Sequence, residues 1–216
     1  MVVNTVAMKF SLRKIKNKRK KEYMKLEEMA QVMIGVLTKR EKDNNGENSY
    51  ELFSLKNYEE KNTYEELKTN KNLSDKLAQN GDLLFRLLAP NKIIYVDENI
   101  EGKLIPSQFC IIRTDRKKIS PIVLKWYLES DKNQSVMESL ITGSIIKSMT
   151  VTELKKIEIP NIAIENQLEM EKLINLWERE RIVFDNILKK KEKIYNWYLE
   201  QMVNKGVIAN ESKTGE

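Results

Sequence analysis

The chain has 216 residues, with 38 Lys and Arg against 32 Asp and Glu, no histidine and a single cysteine, Cys110. Without histidine neither a Ser-His-Asp nor a Cys-His catalytic set can be assembled, and one thiol supplies neither a disulfide nor the roughly four Cys or His ligands of a structural zinc site. Seven glycines, four prolines, 32% charged and 41% hydrophobic residues describe a soluble, helix-leaning chain, large enough for one ordinary domain plus an extra element.

The net charge of +6 is local. Nine basic residues fall between Lys9 and Lys25 (Lys9, Arg13, Lys14, Lys16, Lys18, Arg19, Lys20, Lys21 and Lys25) with one acid, Glu22, which leaves 29 basic against 31 acidic residues elsewhere. Residues 1–22 therefore read as a basic arm: a solvated extension, a phosphate-contacting segment, or a membrane-surface patch, the last without a lipidation signal or long apolar run beside it. No stretch reaches the roughly 18–20 apolar residues of a membrane span. The start lacks the apolar core of a secretory signal, and a cytoplasmic location is expected.

After the arm, Met24–Ala30 reads as a short amphipathic helix. Gly35 interrupts Val32-Met33-Ile34 and Val36-Leu37. Residues 38–49 are polar with an Asn-Asn-Gly turn signal, and Tyr50–Leu55 alternates like a strand. Residues 57–79 read as loop with one short helical piece. Asn80-Gly81-Asp82 is a tight turn into a buried strand at Leu83–Leu88, closed by Ala89-Pro90-Asn91. Ile93–Val96 and Phe109–Arg113 are further strands, separated by a turn at Glu101-Gly102. Ser120-Pro121 caps and opens a helix to about Glu129, with Trp126-Tyr127 as core. A second helix covers Gln134–Ile141. Thr150-x-x-Glu153 fits a capping box, and Lys156–Pro160 is a short strand.

The final segment differs in kind. From Ile164 to Val203 there is no Gly or Pro, and a 4,3 spacing runs through Met170, Ile174, Trp177, Arg181, Phe184, Leu188, Lys191, Tyr195, Tyr198 and Met202. This predicts a long helix with a coiled-coil seam, about 60 Å for ~40 residues. A ridge of that kind asks for a partner helix; the alternative is a helix folded back on its own body. The expected organisation is an α+β fold: a basic arm at 1–22, a mixed α/β globular domain at 23–162, a long helix at 163–204 and a flexible tail at 205–216.

In order, MKLEEMAQVMIGVLTKR (24–40), NGDLLFR (80–86), LIPSQFCIIR (104–113) and TGSIIKSMTVTELKKIEIPNIAIENQLEM (142–170), followed by the long helix, resemble one half of the DNA-specificity subunit of type I restriction-modification systems. The resemblance implies a target recognition domain that reads a short half-site in double-stranded DNA, and a spacer helix. It implies no chemistry in the chain itself and no cofactor of its own. Catalysis belongs to partner methyltransferase (modification) and restriction subunits. Family members carry two recognition domains and two antiparallel helices; one of each here implies a half-subunit that dimerises, or a remnant. A homodimer expects a symmetric, interrupted site, with Ile174, Trp177, Phe184, Leu188, Tyr195 and Tyr198 as dimerisation residues.

Base readout needs forked or amide donors on loops that reach a groove. The candidates are Lys39, Arg40 and Lys42 in the first loop, Arg86, Asn91 and Lys92 in the second, Lys103 and Gln108 in the third, and Ser144 and Lys147 in the fourth. Arg86 is the sharpest of these, since a charge directly after Leu83-Leu84-Phe85 must leave the core or pair, with Asp82 or Glu98 as possible partners. The plain alternative for each is a solvated turn. The aromatic residues are scattered and form no single-strand stacking platform. Two further readings stay open: a non-catalytic coiled-coil adaptor whose head binds protein, and a carboxylate nuclease that would cut in the presence of a divalent metal.

Overall fold

The computed structural model describes residues 22–60, 63–140 and 148–211. It shows a mixed α/β head followed by one long C-terminal helix. The head begins with β1 (Tyr23–Lys25), a single helical turn α1 (Leu26–Met29) and β2 (Ala30–Ile34). The helix expected over 24–30 is thus reduced to four residues. Met24 pairs with Ile159, and the Leu26 N–H donates to the Ile157 carbonyl at 2.9 Å. Pairing on both sides leaves room for one turn only.

A one-turn helix α2 (Thr38–Glu41) leads to the hairpin β3 (Asn48–Leu52) and β4 (Glu65–Thr69), with α3 (Leu55–Glu60) between them. Residues 57–79 carry no strand pattern in the sequence, yet β4 pairs with β3 in register from Leu52–Glu65 to Asn48–Thr69. In β4 only Leu67 and Thr69 are buried, so the segment carries too little apolar pattern to announce itself. Then come β5 (Leu83–Arg86), β6 (Ile93–Tyr95), β7 (Phe109–Thr114), α4 (Pro121–Glu129), α5 (Asp131–Leu140), α6 (Val151–Lys155), β8 (Glu158–Pro160) and α7 (Ile164–Glu211). α5 starts three residues before the expected Gln134. α7 continues beyond residue 204, where the sequence reading places a tail. β1 and β8 pair, joining the two ends of the head.

The centre is a four-stranded antiparallel sheet in the order β2-β7-β5-β6. Successive side chains on a strand face opposite ways. Val32, Leu83, Phe85, Ile93, Cys110 and Ile112 pack on one face with α1, α4, α6 and the root of α7. Leu84, Ile94, Phe109 and Ile111 pack on the other with Phe53, Ile100 and Ile105. Both faces are covered, which is why the strands read as unbroken apolar runs rather than alternating ones. Phe109 meets Phe53 edge-on at 5.4 Å between ring centroids.

Polar fastenings fix the ends of these strands. Asp82, almost fully buried, accepts from Arg113 Nε at 2.9 Å and Nη2 at 2.7 Å, and from the Gln79 N–H at 2.9 Å. That fork ties the start of β5 to β7. The Ser120 hydroxyl accepts from the Val123 N–H, with Pro121 at the first helical position, so α4 begins where the capping residues place it.

Candidate nucleic-acid interface

One end of the central sheet gathers several of the residues expected to read DNA. There β2 ends at Ile34 opposite Cys110, β5 ends at Arg86 opposite Phe109, and β6 begins at Ile93 opposite Phe85. Gln108 stands just before β7, its carbonyl accepting from the Leu87 N–H at 3.0 Å. Ser148 bridges Leu88. Arg86, Asn91, Lys92 and Gln108 therefore share this edge. Ser144 and Lys147 lie outside the described residues.

Their states differ. The Arg86 guanidinium is half-buried and has no ion-pair partner among the described residues; the Asp82 carboxylate, one of its two expected partners, is held by Arg113. Asn91 donates from Nδ2 to the Arg86 carbonyl at 2.8 Å and to the Leu87 carbonyl at 3.4 Å. It shapes the turn and keeps its side-chain oxygen. Lys92 pairs with Glu59. Gln108 is exposed.

Lys39 and Arg40 on α2, and Lys42 just after it, are exposed and form a second group off the same sheet end. Its placement depends on Gly35: a Cβ there would lie 2.4 Å from the Ile105 and Pro106 carbonyl oxygens, so only glycine allows this close approach. The Val36 N–H then bonds to Ile105 O at 2.7 Å, and the Ser107 N–H to Val36 O at 2.8 Å. Lys103 belongs to neither group. It pairs with Glu51 at 2.6 Å and lies 4.2 Å over the Tyr64 ring, on the β3–β4 hairpin.

The arrangement has the donor chemistry of a groove-facing loop cluster: a guanidinium, two amides and several ammonium groups on rigid strand ends. Burial pushes the Cys110 thiol up to about 12, which keeps it a neutral packing group. Among the described residues no cluster of Cys, Asp and Glu could hold a metal ion, and no helix is long and apolar enough to cross a membrane.

The second candidate surface is α7. Its first turns are anchored by Gln167, which is 2% exposed. Gln167 accepts from the Ser120 N–H at 2.7 Å and donates to the Lys118 and Ile162 carbonyls at 2.9 and 2.8 Å. The seam residues Met170 and Ile174 pack on the head beside α4, so Ile174 is shared between the expected interface and the core. Trp126, expected inside, is 41% exposed. With Met170, Leu173, Ile174 and Trp177 it lines an open apolar groove of about 440 Å³ between α4 and α7. Sequence reasoning missed both Gln167 as anchor and this groove. The signal for the groove was there, since 170, 173, 174 and 177 share one helical face.

Beyond Glu178 every described side chain of α7 is exposed through Asn204. Phe184, Leu188, Tyr195 and Tyr198 stand on one ridge, with Phe184 at 64%. A second exposed apolar row, Leu173, Leu176, Val183, Ile187, Ile194 and Trp197, runs beside it. Arg181 donates to Glu178 at 2.8 Å and lies 5.9 Å from the Trp177 ring centre. The hydrogen bond to Glu178, then the charges of Glu178, Asp185 and Glu129, hold its pKa above the usual arginine value.

No family model matches the sequence, and no curated protein matches it. Solved structures do. An HsdS subunit from Thermoanaerobacter tengcongensis aligns over 74% of this chain and 43% of its own, at 20% identity and a TM-score of 0.53. A chain from a type I R-M system, solved for its complex assembly and conformational transition, aligns over 77% and 45%, at 19% identity and 0.55. The fold is that of type I restriction-modification S subunits. An S subunit from M. genitalium also aligns, over 77% and 41%, at 15% identity and a TM-score of 0.49. The chain thus spans less than half the length of each of these three structures. In this S-subunit fold, one head and one helix are present, and the helix carries a long apolar face without cover.

Proposed function

We propose that the chain is a DNA-specificity module of a type I-like restriction-modification complex, acting as a homodimer on a symmetric bipartite site in double-stranded DNA. The observation that carries this reading is the S-subunit fold together with the long exposed apolar face on α7. Twofold pairing with a second copy covers the same face on both.

In this reading the strand-end cluster reads bases and phosphates. Arg86 is its base-reading donor, and Gln108 and Asn91 contribute amide groups. Lys39, Arg40 and Lys42 contact phosphates, as does Lys92 once it exchanges Glu59 for a phosphate, and Ser144 and Lys147, which lie outside the described residues, are assigned the same role. Lys103 contributes only after exchanging Glu51 for a phosphate. The chain does no chemistry. Methylation and cleavage belong to a methyltransferase subunit and a restriction subunit that dock on the dimer. The apolar face of α7 is wider than a two-stranded seam needs: a second copy covers the Phe184–Leu188 ridge, and the Val183–Ile187 row remains for a helix of a partner subunit.

The test is co-purification with a type I modification subunit, followed by mapping of methylated sites and by duplex binding at graded salt. The expected result is an inverted, interrupted site and affinity that falls steeply with salt. Arg86→Ala is expected to lose about ten-fold in affinity and relax preference at one base. A chain that neither joins the modification subunit nor binds duplex at low salt is the adaptor instead.

A further inference from the structure

Residues 1–21 lie outside the described residues, but their sequence divides in two. Val2, Val3, Val6, Met8, Phe10 and Leu12 make 1–12 largely apolar, whereas 13–21 holds seven Lys or Arg and no acid. A solvated extension or a phosphate contact accounts for the second part only. Apolar side chains in that number call for cover.

The head offers such cover at the root of α7. The open groove between α4 and α7, lined by Trp126, Met170, Leu173, Ile174 and Trp177, holds about 440 Å³. A second hollow of about 310 Å³ shares Trp126, Ile174 and Trp177 with it and reaches Tyr95 and Ile122. Together they make a trough suited to a short run of chain rather than to one side chain. Trp126 and Trp177 are 41% and 52% exposed, so two indoles stand open to solvent beside an otherwise closed core.

The arm leaves the head beside this trough. The Asn161 N–H donates to the Glu22 carbonyl at 2.9 Å, three residues before α7 begins. Glu158, paired with Lys25, accepts at its carbonyl from the Tyr127 hydroxyl of α4 at 3.2 Å. Glu22 therefore stands near both walls. From Ile164 to Trp177 is about 20 Å along the helix, at a rise of roughly 1.5 Å per residue. The ten residues from Leu12 to Glu22 span up to about 33 Å, so the apolar part reaches the trough with slack.

Charge follows the same order. Between the exit and the trough, α7 carries Glu165, Glu169 and Glu171, none of them in an ion pair among the described residues. The rim carboxylates Glu129 and Glu178 are held by Lys125 and Arg181, so the root attracts cations while the trough takes apolar groups. Outward from the head, the arm is basic and then apolar; outward along α7, the surface is acidic and then apolar.

We infer that residues 1–12 dock in the trough between α4 and α7 of their own chain, with 13–21 laid along Glu165, Glu169 and Glu171. The short tether favours the chain's own arm over another copy's. The docked arm covers Trp126 and Trp177 and has its positive charge partly neutralised within the chain. It leaves the ridge from Phe184 onward open, so the inference stands apart from the homodimer reading.

The test uses the full chain with Trp197→Phe, which leaves Trp126 and Trp177 as the only indoles. Val6→Asp with Phe10→Asp is expected to shift their emission to the red and to steepen acrylamide quenching, with circular dichroism unchanged. With the arm unaltered, the protection of the indoles is expected to persist on dilution. Equal emission with and without the two aspartates overturns the inference. So does protection that fades on dilution, which would put a second copy in the trough, or protection gained only on adding anionic phospholipid vesicles, which would give the arm to a membrane.

A cross-link locates the contact, since a disulfide needs the two Cα atoms within about 7 Å. Ala7→Cys with Asn175→Cys, at the trough's rim, is expected to close a disulfide within one chain under a mild oxidant. Cys110 is fully buried and stays silent. Ala7→Cys with Ile34→Cys is the control and is expected to stay reduced. Ile34 is exposed, and the twelve residues from Glu22 to Ile34, four of them helical, keep it within the same reach. A link between chains, or equal yield in the two pairs, overturns the inference, which stands only if the indole and cross-link readings agree.

Discussion

The head and the helix spend similar side chains in opposite ways. In the head, Leu83, Leu84 and Phe85 on β5 and Phe109 to Ile112 on β7 are fully buried, because the period-2 alternation of a strand finds protein on both faces of the sheet. On α7, Phe184, Leu188, Tyr195 and Tyr198 are all more than half exposed, because a helix projecting past its own body has nothing of its own to cover a 3.5-residue seam. The head's stability is therefore internal to one chain. In the proposed homodimer, that of the projecting helix depends on protein concentration, since association is what covers its ridge.

The largest expected effect breaks the helix side of that contrast. Phe184→Asp combined with Leu188→Asp puts two carboxylates per copy into the seam, where association would strip them of water without a partner. The chain is expected to change from dimer to protomer at micromolar concentration in light scattering. The head's thermal unfolding should then match that of wild-type at dilutions where the dimer has dissociated. A head that unfolds with the helix would mean that the two regions form one cooperative unit.

The converse variant works inside the head. Asp82→Ala leaves Arg113 with a guanidinium that is three-quarters buried and keeps only the Leu77 carbonyl as acceptor. It also frees the Gln79 N–H. Removing one partner of such a pair is expected to cost about 3 kcal/mol, read as a fall in denaturation midpoint with the dimer mass unchanged. Loss of both together would tie the head's core to the interface and erase the contrast.

Legibility followed the same division. The Ser120-Pro121 start, the Thr150–Glu153 box, the three core strands and the long helix were all readable, because each is written in local chemistry: caps, turns and unbroken apolar runs. The resemblance of four ordered stretches to S subunits was readable too, and the solved structures share that fold. What escaped depends on distant partners. β4 exists because β3 lies beside it. The first helix shrank to one turn because β8 takes Met24. Trp126 lost its place in the core because α7 runs past α4 without closing over it. Among the candidate site residues, the grouping of Arg86, Asn91, Lys92 and Gln108 followed from three strand ends that only the sheet brings together. Lys92 and Lys103 looked free in sequence, but Glu59 and Glu51 reach them across 33 and 52 residues.

The smallest effect sharpens the head side. At the start of α6 the Glu153 N–H donates to the Thr150 hydroxyl oxygen at 3.2 Å, while the Thr150 N–H and hydroxyl donate to the Glu153 carboxylate, both at 2.8 Å. The backbone N–H of Thr150, then its hydroxyl, hold the Glu153 carboxyl below its ordinary value of 4.5. A carboxylate with a lowered folded pKa stabilises fully above the unfolded value, and that contribution fades as pH falls through the lowered one. Thr150→Ala is expected to cost about 1 kcal/mol at neutral pH, with the gap from wild-type narrowing below 4.5. Glu153→Gln is expected to remove that acid-limb dependence while keeping part of the cap, because its amide oxygen still accepts from the Thr150 N–H. Since α6 packs mainly on α1 and β2, neither change should alter the dimer's mass. A shift in association at pH 7 would show that the cap reaches the interface through the root of α7, and the head and helix would have to be treated as coupled.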